Sequence, residues 1–314
     1  MDFLRPVITG EGKGLRTTHS TGTVLPIAAI LAAMLLWGGS FAAMKVTIAA
    51  LGPWTVIWIR MAVALVIILP LARRFPPLHY RPGDWKLLIL FVIFEPCLYF
   101  IFEANALRFT SSSQAGVISA SLPLMVAFGA NFALGERVSR ATVFGLCLSL
   151  GGVVWLTMAG DPSAAAMNPV LGNVLEFGAM VSAAGYVLLV KRLSEWYSPW
   201  TLTALQIVTG AVFFLPGAFP LLDGRAAAIG VGEILALLYL GAFVTLGAYG
   251  LYNFGLSRIP ANHAAAFVNL IPVVAVFLGW KLLGETLNSG QIAATLCVLA
   301  GVWLSQAGWG RLTR

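Results

Sequence analysis

The sequence predicts an all-α integral membrane protein whose ten transmembrane helices form two inverted five-helix repeats. Three observations predict it. Of the 314 residues, 59% are hydrophobic and 10% charged, whereas a soluble chain carries roughly 25% charged residues. Ten apolar runs are long enough to cross a bilayer, which takes about 20 residues each. And the second half of the chain repeats the first. A mean hydropathy of +0.90 excludes an ordinary soluble enzyme. The net charge of +7 is spread over many loops rather than gathered in a stripe, so no nucleic-acid partner is expected. Cys97, Cys147 and Cys297 all fall inside apolar runs and suggest neither a disulfide nor a metal framework.

The runs, broken by Gly, Pro and charge, are 24–46, 53–72, 86–107, 112–133, 139–158, 169–190, 199–220, 231–254, 262–283 and 290–309. Residues 1–22 are polar and Gly-rich and read as a flexible cytoplasmic tail; residues 23–160 form the first repeat, 161–310 the second, and 311–314 the cytoplasmic C-terminus. No small-residue cleavage site follows the basic tail, so the first run is expected to remain as an anchor. That run carries Trp37-Gly38-Gly39, and the second opens on Pro53 and contains Arg60. The third holds Glu95-Pro96 and Glu103; the proline is expected to kink it. Small residues four apart (Ala141, Gly145, Ser149 and Ala293, Cys297, Gly301) mark the fifth and tenth runs as tight packers. The sixth run carries Glu176 and Tyr186, the seventh opens on Pro199-Trp200, the eighth holds Tyr249 and Tyr252, and the ninth opens near His263.

Orientation follows from Lys and Arg. With both termini inside, fourteen basic residues fall on the inner side, among them Arg73, Arg74, Arg81, Arg137, Arg192 and Arg258. Only Lys45, Arg108, Arg225 and Lys281 fall outside. That split predicts cytoplasmic termini.

The repeat is read residue by residue. Pro53-Trp54-Thr55 recurs as Pro199-Trp200-Thr201, Pro70 as Pro216 and Lys45 as Lys191, all at an offset of 146; Leu107 recurs as Leu256, Pro123 as Pro272 and Gly135-Glu136 as Gly284-Glu285, at an offset of 149. An ordered series of this kind points to duplication. Five spans per half invert the second half relative to the first, an architecture of secondary transporters.

At this point the residues carry a resemblance. Leu36-Trp37-Gly38-Gly39-Ser40-Phe41, Arg60, Ala106-Leu107-Arg108-Phe109-Thr110, Leu122-Pro123-Leu124 and Leu134-Gly135-Glu136-Arg137 resemble the EamA-type members of the drug/metabolite transporter superfamily. Ser182 to Tyr186, Leu270-Ile271-Pro272 and Leu283-Gly284-Glu285-Thr286 extend the resemblance through the second half. It implies two five-helix bundles around a central cavity, export of small metabolites or drugs, no bound cofactor, and a bacterial inner-membrane location. The chain departs from the usual pattern in placing Glu95 and Glu103 in the third span and in lacking a Trp at Ala183.

Intramembrane ionisable side chains are functional candidates by default. A carboxyl group in low dielectric can hold its proton near neutral pH, which makes Glu95 and Glu103 the proton-coupling candidates. Glu103 and Arg60 lie at similar depth and could pair. Trp37, Ser40, Arg60, Tyr99, Tyr186, Gln206 (the repeat counterpart of Arg60), Tyr249 and Tyr252 are the substrate-cavity candidates, suited to amino-acid-like, aromatic or amphipathic solutes. For each aromatic residue, packing between helices is the competing reading. Glu176 could reach interfacial water and reads as structural rather than functional; Glu136 and Glu285 read as structural, for instance capping the first turns of the spans that follow, with a gate role as the alternative. The function expected is a proton-coupled secondary exporter using a small-molecule substrate, the lipid bilayer and the proton gradient, with monomer and homodimer both open. A passive facilitator is the alternative. A membrane enzyme or receptor is disfavoured, because no His-Glu-x-x-His spacing, paired-Asp motif or phosphate loop is present.

Overall fold

The computed structural model describes residues 21–307 apart from 75–79, 135–139, 161–162, 164–165, 223–228 and 260. Most of the expected N-terminal tail, the C-terminal residues 311–314, Glu136 and Arg137 therefore lie outside the described residues. Among the described residues the regular secondary structure is helical, apart from one isolated bridge between Ser163 and Ala166.

Helix α1 (Thr21–Leu51) is 31 residues long, about 46 Å at 1.5 Å per residue, and spans a bilayer with room to tilt. Gly52 then takes φ 78°, a left-handed turn that glycine adopts without strain, and Pro53 opens α2 (Pro53–Ile68) with its φ already helical. Helix α3 (Trp85–Phe109) is interrupted midway. Beyond it α4 (Ser112–Ser119) and α5 (Leu122–Leu134) follow with a break at Ala120-Ser121. Next come α6 (Arg140–Met158), α7 (Pro169–Leu193), whose N-terminus is capped by Asn168, α8 (Pro199–Phe213) and α9 (Val231–Leu256). After α8 the chain bends by 61° into Leu215–Leu222. Finally α10 (Ala261–Ala266) leads into α11 (Leu270–Leu283), which stops at a left-handed Gly284. Helix α12 (Ser289–Ala307) opens with a reciprocal cap between Asn288 and Gln291.

Taking α4 and the start of α5 as one helical stretch (Ser112–Ala130), six helical stretches among the described residues are long and apolar enough to cross a membrane, or seven if the bent pair after Pro199 counts as one span. The fifth, ninth and tenth apolar runs appear as shorter helices, and the ninth is broken at Phe267–Asn269. The runs are thus all-helical, but the described residues give fewer full-length spans than the ten expected.

The two halves interlock. Helix α1 packs against α9 and α11, while α7 packs against α3, α4 and α5. Gly38 lies against Val274 of α11. Gly39 makes room for the Tyr239 hydroxyl, which donates to Leu36 O at 2.6 Å. Helices α6 and α12 pair through the expected small residues: Gly301 lies against the backbone of Gly145 and Ser149, and Gly152 against Val298.

The duplication reappears as a contact. Lys45 Nζ donates to Leu107 O and Thr110 O, both at 2.6 Å, satisfying carbonyls at the end of α3. Lys191 Nζ does the same to Leu256 O (3.2 Å) and Ile259 O (2.9 Å) at the end of α9. The donors are 146 residues apart and the acceptors 149, the offsets of the sequence repeat.

Three substitutions test these contacts. Gly151→Ala meets open space and should stabilise the protein by up to about 1 kcal/mol through helix propensity. Gly152→Ala places its Cβ 2.8 Å from Val298 N and should cost about 1–3 kcal/mol by forcing α6 from α12. Thermal unfolding in detergent distinguishes the two signs. Lys191→Met strands two carbonyls at the end of α9 and should cost about 1.5–3 kcal/mol in the same assay.

Candidate functional site

The site begins at the interruption of α3. Pro96 has no amide proton to donate, and Glu95 leaves the helix at φ −149°, ψ 120°, ahead of a cis peptide bond. The break expected from Pro96 is therefore present. A backbone carbonyl freed at membrane depth needs a partner within the protein, and Ser182 of α7 supplies one, its hydroxyl donating to Phe94 O at 2.7 Å. Gly185, one turn along α7, leaves the space that the Phe94 ring fills.

The interruption turns Glu95 into a central cavity. Trp37 and Ser40 of α1, Arg60 of α2, Glu95, Tyr99 and Glu103 of α3, Tyr186 of α7, and Tyr249 and Tyr252 of α9 all line it. Gln206 does not. It lines an adjoining recess with Met61, Pro96 and Thr245, and accepts from Asn253 Nδ2 at 3.3 Å. The cavity holds about 40 Å³ of free space, enough for roughly three water molecules. Small-molecule sites need about 300 Å³ or more, so the site is closed around its polar groups.

Those groups fall into two sets. Some are paired within the wall. Tyr99 donates to Glu103 Oε1 at 2.7 Å, Tyr249 hydrogen-bonds Glu95, and Tyr186 donates to Asn253 Oδ1 at 2.6 Å. The Ser40 hydroxyl turns back onto Trp37 O. Others have no partner among the described residues: Trp37 Nε1, Tyr252 OH and Glu103 Oε2 are buried and unbonded. The Trp37 ring stands 5.1 Å from Tyr249 and 4.9 Å from Tyr252, centroid to centroid, so donor, hydroxyl and carboxylate converge on an aromatic wall.

Arg60 is 1% exposed. Its Nε donates to Thr245 Oγ1 at 2.8 Å, a second guanidinium nitrogen lies 2.9 Å from Met44 Sδ, and its Cζ stands 4.5 Å over the Phe100 ring. The pairing of Arg60 with Glu103 that their shared depth allowed is not present among the described residues; the guanidinium is turned toward α9 and α1. Its charge still attracts both Glu95 and Glu103 across the cavity.

Two expectations about carboxylates need correcting. Glu176 does not reach interfacial water: it is 0% exposed, against α3. Glu285 does not cap the helix that follows it. Its carboxylate accepts from Ser112 N, Ser112 Oγ and Ser113 N at 2.9 Å each, and from Ser113 Oγ at 2.6 Å. It therefore caps α4, in the other half of the chain, where backbone amides and helix dipole both favour an anion. The run Thr110-Ser111-Ser112-Ser113 was the sequence signal for such a cap. Lys45 acts electrostatically on Glu285 from the same end of the bundle, so α1, α3, α4 and α11 are tied together there. Glu136, the repeat counterpart of Glu285, lies outside the described residues.

Among the described residues no group of three metal-ligating side chains comes together. Comparisons with known proteins give the family. The model of the EamA-like transporter family matches residues 24–158 and again 170–306. Uncharacterized transporter YetK of Bacillus subtilis is 25% identical over 96% of this chain and 91% of its own length. A Salmonella typhimurium protein named "Probable amino-acid metabolite efflux pump" is 28% identical over 89% of this chain and 94% of its own length. A solved crystal structure 20% identical in sequence shares the fold with a TM-score of 0.61, covering 95% of this chain and 100% of that one. With apolar helices of membrane-spanning length and two matched repeats, this chain is a multi-pass membrane protein and belongs to the EamA-like transporter family.

Proposed function

We propose that the protein exports small organic metabolites by proton-coupled alternating access, through ten spans arranged as two inverted five-helix repeats with both termini cytoplasmic in a bacterial inner membrane. The observation that carries this reading is the central cavity, in which carboxyl groups, a guanidinium and unbonded aromatic polar groups from both halves meet in a space too small for a ligand. A site of that kind must open to one side or the other to work. The equivalent lysine clasps on α3 and α9 support inversion, because they join corresponding helix ends of the two halves. Under inversion the end held by Lys45 and Glu285 is the outer one and the end held by Lys191 is the inner one.

In this reading Glu95 carries the coupling proton. It sits at the break of α3 with Tyr249 as partner, so its protonation changes both the charge facing Arg60 and a bond between α3 and α9. Substrate competes with the proton for the cavity-facing state, which couples the two flows. An acceptor on the substrate takes the free Trp37 N–H, and a donor takes Glu103 Oε2. These complementary needs fit amino-acid-like or aromatic solutes; the Salmonella relative is named for amino-acid metabolites.

Purified protein in liposomes, tested with a panel of labelled amino acids and aromatic amines with and without a pH gradient, checks the reading. Gradient-driven flux is expected; flux indifferent to the gradient would make the protein a facilitator. Glu95→Gln should abolish gradient-driven flux while leaving gradient-independent exchange largely intact. Wild-type coupling in that variant would move the role to Glu103.

The outer tie gives a separate test. Glu285→Ala removes a carboxylate holding four donors, and should raise the outward-open population roughly tenfold or more. With the three native cysteines replaced and Ser40→Cys as reporter, the labelling rate by an impermeant maleimide from outside should rise accordingly. An unchanged rate would show that this tie does not hold the outer end closed.

A further inference from the structure

A second recess lies at the end of the bundle that Glu285 ties. It holds about 380 Å³ of free space, against about 40 Å³ at the centre, and so reaches the size of a small-molecule site. Ser111, Gln114 of α4, Glu285, Thr286 and Gln291 of α12 line it. Gln114 is 3% exposed, Gln291 5% and Glu285 7%.

Hydrogen bonds fix which way each amide points. The Thr157 hydroxyl donates to Val153 O at 2.8 Å, so its oxygen accepts from Asn173 Nδ2 at 3.2 Å. The same Nδ2 donates to Gln114 Oε1 at 3.0 Å, while Asn173 Oδ1 accepts from the Thr110 hydroxyl at 2.6 Å. On α12, Gln291 Oε1 accepts from the backbone N–H of Asn288 at 2.9 Å. Both side-chain carbonyls are therefore held by the protein. Both Nε2 groups are left without a partner among the described residues, on side chains that line the recess.

A buried amide N–H needs an acceptor. Both glutamines stand in the first turn of their helices, where the dipole favours an anionic one. Glu285, the charged residue of the lining, works against a plain anion. Its Oε2 accepts three hydrogen bonds but its Oε1 only the one from Ser112 N, which leaves that oxygen room for a further donor. The recess thus asks for acceptor oxygens at one place and a cationic donor at another.

We propose that this recess is a second solute site, taking amino-acid-like zwitterions, with the carboxylate on Gln114 Nε2 and Gln291 Nε2 and the ammonium on Glu285 Oε1. The charges then balance within the complex, and every donor named has an acceptor. The site rests on the export reading only for its place on the outward path, where a solute leaving the central cavity would stop.

The test uses the full-length protein in detergent, with the three native cysteines replaced and Thr286→Cys as reporter. The common amino acids, added one at a time up to about 10 mM, should include some that slow maleimide labelling. The N-acetyl form of a protecting amino acid should protect roughly tenfold less well or worse, having lost its ammonium. Gln291→Glu keeps the oxygen that caps Asn288 and removes the free N–H groups; it should weaken protection by a similar factor with the labelling rate without solute unchanged, and so should Gln114→Met. If Gln114→Met does not fold, Gln291→Glu decides alone. Protection by no amino acid overturns the proposal. So does protection undiminished in Gln291→Glu, which would place the solute elsewhere, and so does equal protection by the N-acetyl form. No pH gradient enters the assay: absent protection with gradient-driven flux intact removes this site alone, and intact protection with flux indifferent to the gradient removes only the coupled reading.

Discussion

The bilayer interior offers no water to a backbone amide or carbonyl, so every interruption of a helix at membrane depth must be satisfied by the protein itself. Most of the polar chemistry in this fold follows from that constraint. Helix α3 breaks at Glu95, and Ser182 crosses from α7 to bond Phe94 O. The ends of α3 and α9 leave carbonyls that Lys45 and Lys191 bind. The start of α4 leaves amides that Glu285 accepts from across the bundle. Each of these partners comes from a helix distant in sequence, so the bonds that repair the breaks also join the helices. The fold is held at the same points where it is interrupted, and the cavity opens beside the deepest of them.

The two halves share a framework but not a chemistry. The lysine clasps occupy equivalent positions, as duplication requires. The charges around the cavity are one-sided: Arg60 has Gln206 as its counterpart, and Glu103 has Tyr252. Gln206 then falls outside the cavity and joins a neutral network with Asn253, Thr203 and Tyr186. One half supplies the ionisable groups, and the other supplies Tyr186, Tyr249 and Tyr252 as the wall they face.

What the sequence revealed, and what it hid, has a physical pattern. Apolar runs revealed the helices, Pro96 revealed the break in α3, and small residues four apart revealed the α6–α12 seam. These are local signals. The breaks at Ala120-Ser121 and Phe267–Asn269 were not foreseen, because neither position carries the proline or charge that marks an interruption. Helix α4 is buried along its whole length. Depth along a helix placed Trp37 and Glu95 near mid-membrane, and both line the cavity, yet depth says nothing about azimuth. Arg60 and Glu103 share a depth, but Thr245 and Met44 hold the guanidinium. Glu176 sits where water seemed within reach, and it is fully buried. The partner of Glu285 was sought in the next span and lies across the bundle, a contact no local reading finds.

The distribution of satisfied and unsatisfied groups says how such a molecule can move. At its ends the bundle is held by charge-assisted bonds, each worth about 1.5–3 kcal/mol when made. At its centre Trp37 Nε1, Tyr252 OH and Glu103 Oε2 are buried without partners, each at a cost of about 1–3 kcal/mol. The closed form is therefore favoured at the periphery and penalised in the middle. A solute that fills the cavity and bonds those groups removes the central penalty, but only after an end has opened to admit it. The opposing terms are of similar size, so the balance between open and closed is set by a few kcal/mol. A gap of that size is one that a single ligand or proton can tip. A rigid, fully satisfied core would hold its shape better and could not respond in this way.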